Sequence, residues 1–503
     1  MGANATIGWI LVLAYAALIL FFVVRGARGN RNLSDYALGS FAFSPVAVGL
    51  ALAASMTSAA TFIINPGFVA IFGVSAVISY AVVIPVAALT SLVVLTKGFR
   101  RHGSSVKALS MAQWMGTRYG SPGFALFFGF LSLLLVTFIV LIVVGLTKVI
   151  SATLGVPEMG TLLAIVAFVF GYMMFGGANS MVYTNTIQAL LMVVVAVVLL
   201  GSGYEHFSEG VHGFLERLRA VDPALVGVTN RDSFLFRDLY EIVAAQLVVG
   251  VAIVCQPHII TKSLLLKSER DVNRYLIVGV VTEILFFAVV IAGLYARLAF
   301  PDLTLNGEAI PMDGIIPAYV VNELPVYVGM VVVMGLISAG LSTLEGLIQA
   351  LATTITADLV TPLAGSVLPA DEDRRAHVLL VLNRIAIGLL AVVSAWLSWQ
   401  QVVSPKLSVA IFAQNGVYAY FSAAFVPILF GMFLKSTRRE TAIVASVTAI
   451  VVHFVMYYGH VPVPGTLATG ENPGVAAAVA VISSLVVGAL VQMATGRRQR
   501  VPA

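Results

Sequence analysis

The sequence predicts an all-α protein embedded in a membrane. Three observations carry this: the chain is 60% hydrophobic, only 10% of its residues are charged, and its apolar residues fall in long uninterrupted runs. Soluble domains carry roughly 25% charged residues, and the mean hydropathy here is +1.01. Runs of about 20 apolar residues suit helices crossing a hydrocarbon layer of ~30 Å. Open sheet edges cannot face lipid, and nothing in these runs alternates as barrel strands do.

Thirteen such runs are expected, near residues 6–24, 45–72, 74–96, 122–150, 160–177, 182–202, 240–261, 275–298, 326–357, 378–397, 407–434, 441–459 and 474–494. The first has no basic residue before it and Arg25 and Arg28 after it, the reverse of a signal peptide, so it is expected to be a retained helix. The lone cysteine, Cys255, excludes an intrachain disulfide and a CxxC metal site. A net charge of +5 would fit an acidic partner such as nucleic acid, but the positions of the basic residues point elsewhere. Arg25, Arg28 and Arg31; Lys97, Arg100, Arg101, Lys107 and Arg118; Lys262, Lys267, Arg270 and Arg274; Arg374 and Arg375; Lys435, Arg438 and Arg439; and Arg497, Arg498 and Arg500 lie in alternate loops. The positive-inside rule makes those loops cytoplasmic, with the N-terminus outside and the C-terminus inside.

The longest loop, near residues 202–238, is too short for a separate domain. Within it Val211, Phe214, Leu215 and Leu218 recur at helical spacing, which predicts a short amphipathic helix at the outer surface. There is no GxxxxGK phosphate loop and no HExxH or GxSxG motif, so neither ATP hydrolysis nor a membrane hydrolase is expected. Any pumping then draws on an ion gradient.

Two runs are interrupted at depth. "SMTSAATFIINPG" places Ser55, Thr57, Ser58 and Thr61 ahead of Asn65, Pro66 and Gly67, and "VCQPHIITK" places Gln256, Pro257 and His258 in the seventh run. Proline removes a backbone donor, which is tolerated in a membrane only beside protein or a water-filled cavity. By the loop charges these two runs are antiparallel, and five runs separate their starts. Runs two to six and seven to eleven can therefore be inverted halves with a site between their broken helices.

In the ninth run, "ISAGLSTLEGLIQALATTITADL" carries hydroxyls and carboxylates at membrane depth. Ser342 and Thr343 either bond their own helix or supply neutral oxygen ligands to a hard cation, with Ala339, Gly340 and Gly346 permitting close backbone approach. Glu345 is either a functional intramembrane carboxylate, an ion-exit or proton group, or a solvated vestibule residue near Asp358. Glu283 and Arg384 lie at similar depth and could form a structural ion pair. His258 and Gln256 either contact a solute or satisfy the freed backbone. Thr184, Asn185, Thr186 and Gln188 are expected chiefly to cap a helix and snorkel at the inner interface.

Together "SMTSAATFIINPG", "FGGANSMVYTNTIQALLM", "QPHIITKSLLLKSERDVNR" and "GLISAGLSTLEGLIQALATTITADL" resemble the sodium:solute symporter family, from about Asp35 to Lys435. The resemblance leans toward its pantothenate, proline and monocarboxylate branch, with "FPDLTL" and "QPHI" among the features that lean that way. It implies a leucine-transporter-like core of two inverted five-helix repeats. The expected division is an extra helix and loop over 1–40, the first repeat and outer loop over 41–235, the second repeat over 236–435, and two further helices and a tail over 436–503.

The resemblance further implies sodium ligands at the carbonyls of Ala54, Thr57 and Ala339 and the hydroxyls of Ser342 and Thr343. It implies solute contacts at Ser55, Met56, Ser58, Gln256, His258 and Asn415, and an ion path past Asn185 and Glu345. Three residues depart from the family pattern: Asn185 where many members have Asp, Glu345 where Asp or Asn is common, and Lys262 where Arg is frequent. The expected function is sodium-coupled import of a small organic solute, such as a carboxylate, pantothenate or an amino acid, across the cell membrane. Sodium is expected as the coupling ion, with no other cofactor, nucleotide or nucleic acid. The alternatives are proton coupling through Glu345, whose departure leaves room for it or for an altered ion preference, and a solute sensor, disfavoured because no effector domain follows Arg500.

Overall fold

The computed structural model describes residues 3–105, 108–266, 268–365, 367–404, 408–434 and 436–497. Lys107, Lys267, Lys435, Arg498 and Arg500 among the basic loop residues lie outside these. Among the described residues ten helices are long and apolar enough to cross a membrane: α1 (Thr6–Ala27), α4 (Val74–Gly103), α5 (Pro122–Leu154), α6 (Glu158–Gly201), α9 (Asp271–Ala299), α10 (Val326–Leu363), α11 (Glu372–Val403), α12 (Val409–Phe433), α13 (Arg439–Gly459) and α14 (Pro473–Ala494). Two bent pairs add to them, α2 (Pro45–Met56) with α3 (Ala60–Phe72) and α7 (Tyr240–Ile253) with α8 (Pro257–Leu265), bent by 55° and 56°. That makes twelve spans by length and composition if each bent pair counts once. The sequence reading of thirteen divides α6 in two.

Helix α6 has 44 residues, about 66 Å at ~1.5 Å per residue, twice what a crossing needs. Its helical geometry fails at Gly177, with φ 60° and ψ −163°. Only glycine adopts such angles without strain. A Cβ at Gly177 would stand 2.7–3.1 Å from Tyr36 atoms, so the absent side chain also lets the Leu33–Leu38 helix pack into the bend. The two arms on either side coincide with the expected fifth and sixth runs.

The near-equal bends of the two broken helices, five runs apart, are the pattern expected of repeated halves. Their physical origins differ. In the second, the chain leaves α7 through Val254, Cys255 and Gln256, and Pro257 opens α8. Proline suits a first helical position because its missing N–H would lack a partner there anyway. In the first, sequence logic places the interruption at Pro66, but the break lies earlier, at Thr57, whose backbone is extended (φ −96°, ψ 103°). Ser58 then restarts the helix, its Oγ accepting from the Ala60 amide at 3.0 Å. Pro66 is accommodated instead by a widened π-turn over Ala60–Ile64, which absorbs the lost hydrogen bond. A Cβ at Gly293 of α9 would lie 2.0 Å from the Pro66 carbonyl oxygen, so α9 crosses α3 at backbone contact there.

Three of the segments carrying basic residues, near Arg100 to Arg118, Leu266 to Glu269 and Gly431 to Leu434, meet one another. Arg100 bonds Glu269 at 3.2 Å and the Leu266 carbonyl at 3.0 Å, and Arg118 donates to the carbonyls of Gly431 and Leu434. The amphipathic helix forms as Gly210–Val221, burying Phe214 and Leu218 while Val211 stays exposed. Along the lipid-facing sides large apolar residues remain bare, among them Phe21, Val197, Ile277 and Leu389, as a bilayer requires.

Replacing Gly177 by alanine would force both a disfavoured backbone and a clash with Tyr36. The expected cost is about 1–3 kcal/mol, read as a lower thermal midpoint of the purified protein in detergent. The same change at Gly171, where a Cβ meets nothing within 4 Å, is expected to leave it unmoved.

Candidate functional site

At the first break the Ala54 and Ser55 carbonyls have lost their regular place in a helix, and α10 meets them with hydroxyls. Ser342 Oγ donates to Ala54 O at 2.6 Å and lies 3.1 Å from Ala339 O. Thr343 Oγ1 lies 3.2 Å from Ser55 O and 3.4 Å from both Ala54 O and Ala339 O. Ala54, Thr57, Ala339, Ser342 and Thr343 are all fully buried. Gly346 permits this approach: a Cβ there would already touch Ser55 Oγ at 3.4 Å and His258 Cβ at 3.5 Å. The result is a knot of neutral oxygens, carbonyl and hydroxyl, drawn from two antiparallel helices. Such a set suits a hard monovalent cation that must bind and leave, because it carries no formal charge to hold it.

Thr57 adds a second feature. Its Oγ1 donates to Glu283 Oε2 at 2.5 Å, pinning the extended residue to α9. Glu283 is fully buried and does not pair with Arg384. Arg384 instead bonds the Met174 carbonyl and lies 4.9 Å over the Phe175 ring. The expected ion pair is thus absent, because the two side chains face different helices.

A cavity of about 100 Å³ lies between the breaks, walled by Met56, Ser58, Thr61, Asn65, Gln256 and Gln414 with aromatic rings around them. Among the described residues no charged side chain lines it. Ligand cavities usually hold roughly 300–1,000 Å³, so solute entry requires this one to widen.

Of the expected solute contacts, Met56, Ser58 and Gln256 face the cavity. Ser55, His258 and Asn415 do not. Ser55 turns toward α10 and α6, within 2.9 Å of Asn185. His258 lines a smaller vestibule toward the basic face with Lys262 and Gln349, its ring 6.0 Å from that of Phe138. Asn415 bonds Tyr458 at 3.2 Å and His453 at 3.0 Å, on the α13 side of α12. One residue along a helix is a turn of about 100°, so Gln414 takes the cavity wall in its place. Sequence reasoning missed Thr61 and Asn65 as well, although Ser58, Thr61 and Asn65 repeat at i, i+3 and i+7.

Glu345 is neither solvated nor near Asp358. Its Oε1 accepts from Tyr172 at 2.6 Å and Gln188 at 3.1 Å, and Oε2 accepts from Thr184 at 2.6 Å. Asp358 is held apart by Ser110 at 2.5 Å. The Asn185 amide is oriented by its neighbours: NH₂ reaches Glu345 Oε2 and Gln188 Oε1 at 2.9 Å each, and its oxygen faces Ser55 Oγ at 2.9 Å and Lys262 Nζ at 3.1 Å. Thr184, Asn185 and Gln188 are therefore not interfacial caps but the shell of a buried carboxylate. Tyr172, on the other arm of α6, carried no sequence signal of this role.

Paired broken helices, a cavity between them and an oxygen-lined knot beside them define a gradient-driven membrane transporter that works by alternating access. Residues 36–449 match the sodium:solute symporter family, and the chain belongs to it. It is 26% identical to the sodium/pantothenate symporter of Escherichia coli K12 over 448 residues, 87% of each chain. It is 22% identical to the sodium/proline symporter 2 of Staphylococcus saprophyticus, over 88% of this chain and 84% of that one. Among solved structures, the substrate-bound outward-open state of a Na⁺-coupled sialic acid symporter superposes with a TM-score of 0.77 at 17% identity, covering 97% and 98% of the two chains. A manganese transporter of Eremococcus coleocola shares the fold more distantly, with a TM-score of 0.51 at 15% identity over 92% and 95%. The protein is thus a multi-pass secondary transporter with a leucine-transporter-like core, coupling movement of a small organic solute to sodium.

Removing Glu345 as alanine would take their shared acceptor from four buried donors, Tyr172, Thr184, Asn185 and Gln188, and leave Lys262 without a counter-charge. A loss of about 3–5 kcal/mol is expected, seen as a drop in thermal midpoint well beyond that of Gln188→Ala.

Proposed function

We propose that the chain imports a small hydroxy- or amide-bearing carboxylate, pantothenate foremost, together with sodium bound by Ala54, Thr57, Ala339, Ser342 and Thr343. The observation that carries this reading is the meeting of the Ser342 and Thr343 hydroxyls with the Ala54 and Ser55 carbonyls at 2.6–3.4 Å. When sodium enters, these hydroxyls turn their lone pairs to it and release the carbonyls they now hold. The ion then ties α10 to the break in the first helix, stabilising one arrangement of the two halves. Solute bound against Met56, Ser58 and Gln256 favours the same closure, and this shared preference couples the two.

The cavity wall supports the solute class. Amide and hydroxyl groups of Gln256, Gln414, Asn65 and Thr61 suit a solute that both donates and accepts hydrogen bonds. A carboxylate there would find no side-chain cation, so the bound sodium is its nearest counter-charge. Similarity to the pantothenate symporter of Escherichia coli points to the same class. In this reading the basic face is cytoplasmic, the membrane is the cell membrane, and the N-terminus lies outside. Inward sodium movement gains about 2.3 kcal/mol per 100 mV. Glu345, its carboxylate taken by four donors, is poorly placed to relay protons.

Uptake of labelled pantothenate, proline, acetate, pyruvate and lactate into proteoliposomes tests this, comparing an inward sodium gradient with choline. Sodium-driven accumulation of pantothenate is expected in the wild type. Ser342→Ala should weaken apparent sodium affinity about tenfold, the loss of one ligand worth ~1.4 kcal/mol, and Ser342→Ala/Thr343→Ala should abolish the sodium response. Uptake driven equally by an acid-outside gradient in choline would overturn the assignment of the coupling ion.

A further inference from the structure

Beside the proposed cage lies a charge pair that binding one sodium does not employ. Lys262, on α8, is only 3% exposed, and Glu345, on α10, is fully buried. The two do not touch. One amide, that of Asn185, lies between them, 3.1 Å from the ammonium and 2.9 Å from the carboxylate. Ser55 joins this amide to the cage: its Oγ is 2.9 Å from Asn185, and its carbonyl takes the Thr343 hydroxyl at 3.2 Å. The Lys262 side chain also lines the vestibule toward the basic face, so it stands on the way between cage and exit.

An unpaired charge at this depth costs several kcal/mol or more, roughly 3–5 when one partner of a buried pair is lost. Glu345 therefore demands a cation within reach. Its own oxygens are filled by hydroxyl and amide donors, so the cation must act through the shell and not on the carboxylate directly. We propose that the Lys262 ammonium is that cation, a tethered ion held by the Asn185 oxygen beside the cage where a second sodium would otherwise be drawn, so that the chain binds a single sodium. The lysine never leaves, which makes the second cation a permanent part of the protein. Glu345 and Lys262 cancel as a pair, and the cage experiences a neutral neighbour whichever way the two halves are tilted.

This inference rests on the reading that Ser342 and Thr343 hold sodium, and binding of ²²Na⁺ alone to the purified protein in nanodiscs separates the two. Wild type should bind one ion per protein with a hyperbolic isotherm, and Ser342→Ala/Thr343→Ala should bind none. Retention of that ion by the double variant would sink the cage reading. With the cage intact, Lys262→Met should bind two ions with a Hill coefficient approaching two, Lys262→Met/Glu345→Gln should return to one, and Lys262→Arg should remain at one. Two ions in the wild type, or one ion in well-folded Lys262→Met, would overturn the tethered-cation assignment. Should Lys262→Met fail to fold, Glu345→Gln decides. It leaves the ammonium unpaired beside the cage and should weaken the single sodium about tenfold, with Lys262→Met/Glu345→Gln restoring it. An unchanged affinity in Glu345→Gln would equally overturn the proposal.

Discussion

Backbone carbonyls released at membrane depth must find a partner, and this single constraint organises the protein. In lipid, an irregular backbone survives only where protein or a water-lined cavity satisfies it. The chain departs from helix at Thr57, and α10 answers with the two hydroxyls of Ser342 and Thr343. Everything near the site follows from bringing those elements together. The small residues of α10 let it approach, Gly293 lets α9 press against the Pro66 turn, and Glu283 holds Thr57 by its hydroxyl.

In the proposed sodium cage the same satisfaction can be supplied in two ways, which would make the site switchable. Hydroxyl protons can occupy the carbonyl oxygens, or a cation can gather carbonyls and hydroxyls together. In either arrangement the carbonyls of Ala54 and Ser55 would keep a partner, as they have in the hydroxyl-bonded one. A carboxylate in the cage would have held a cation too tightly to release it. The negative charge instead sits one shell away at Glu345, bound by Tyr172, Thr184, Gln188 and Asn185. Charge and coordination are thereby divided between neighbouring sites.

The two bends look alike yet arise differently, which separates geometry from local sequence. Pro257 begins the second arm of its helix, whereas Pro66 is absorbed in a π-turn and the break lies among Thr57 and Ser58. A proline marks where a helix lacks one hydrogen bond, but what opens the chain is where the neighbouring helices offer replacements. Pro66 finds its compensation within its own segment. The break at Thr57 finds it in the α10 hydroxyls, which take the carbonyls of Ala54 and Ser55, while Glu283 holds the Thr57 side chain.

Sequence alone determined that the chain is an all-helical membrane protein with two interrupted helices five runs apart, and it singled out Ser342 and Thr343. These follow from local physics: apolar run length, proline and hydroxyl composition, and the charge of short loops. Which way a side chain faces was decided only by tertiary packing. Asn415 and Gln414 differ by one step of helix rotation, and only the neighbours of α12 show that the latter meets the cavity. Tyr172 and Thr184 stand on opposite arms of α6, and the Gly177 bend is what turns both toward one carboxylate. Likewise Lys262, Asn185 and Glu345 stand out one by one in the sequence, but they are far apart in the chain and nothing in their own segments brings them together. Burying them together forces the charges to compensate, a constraint that exists only once the helices have packed.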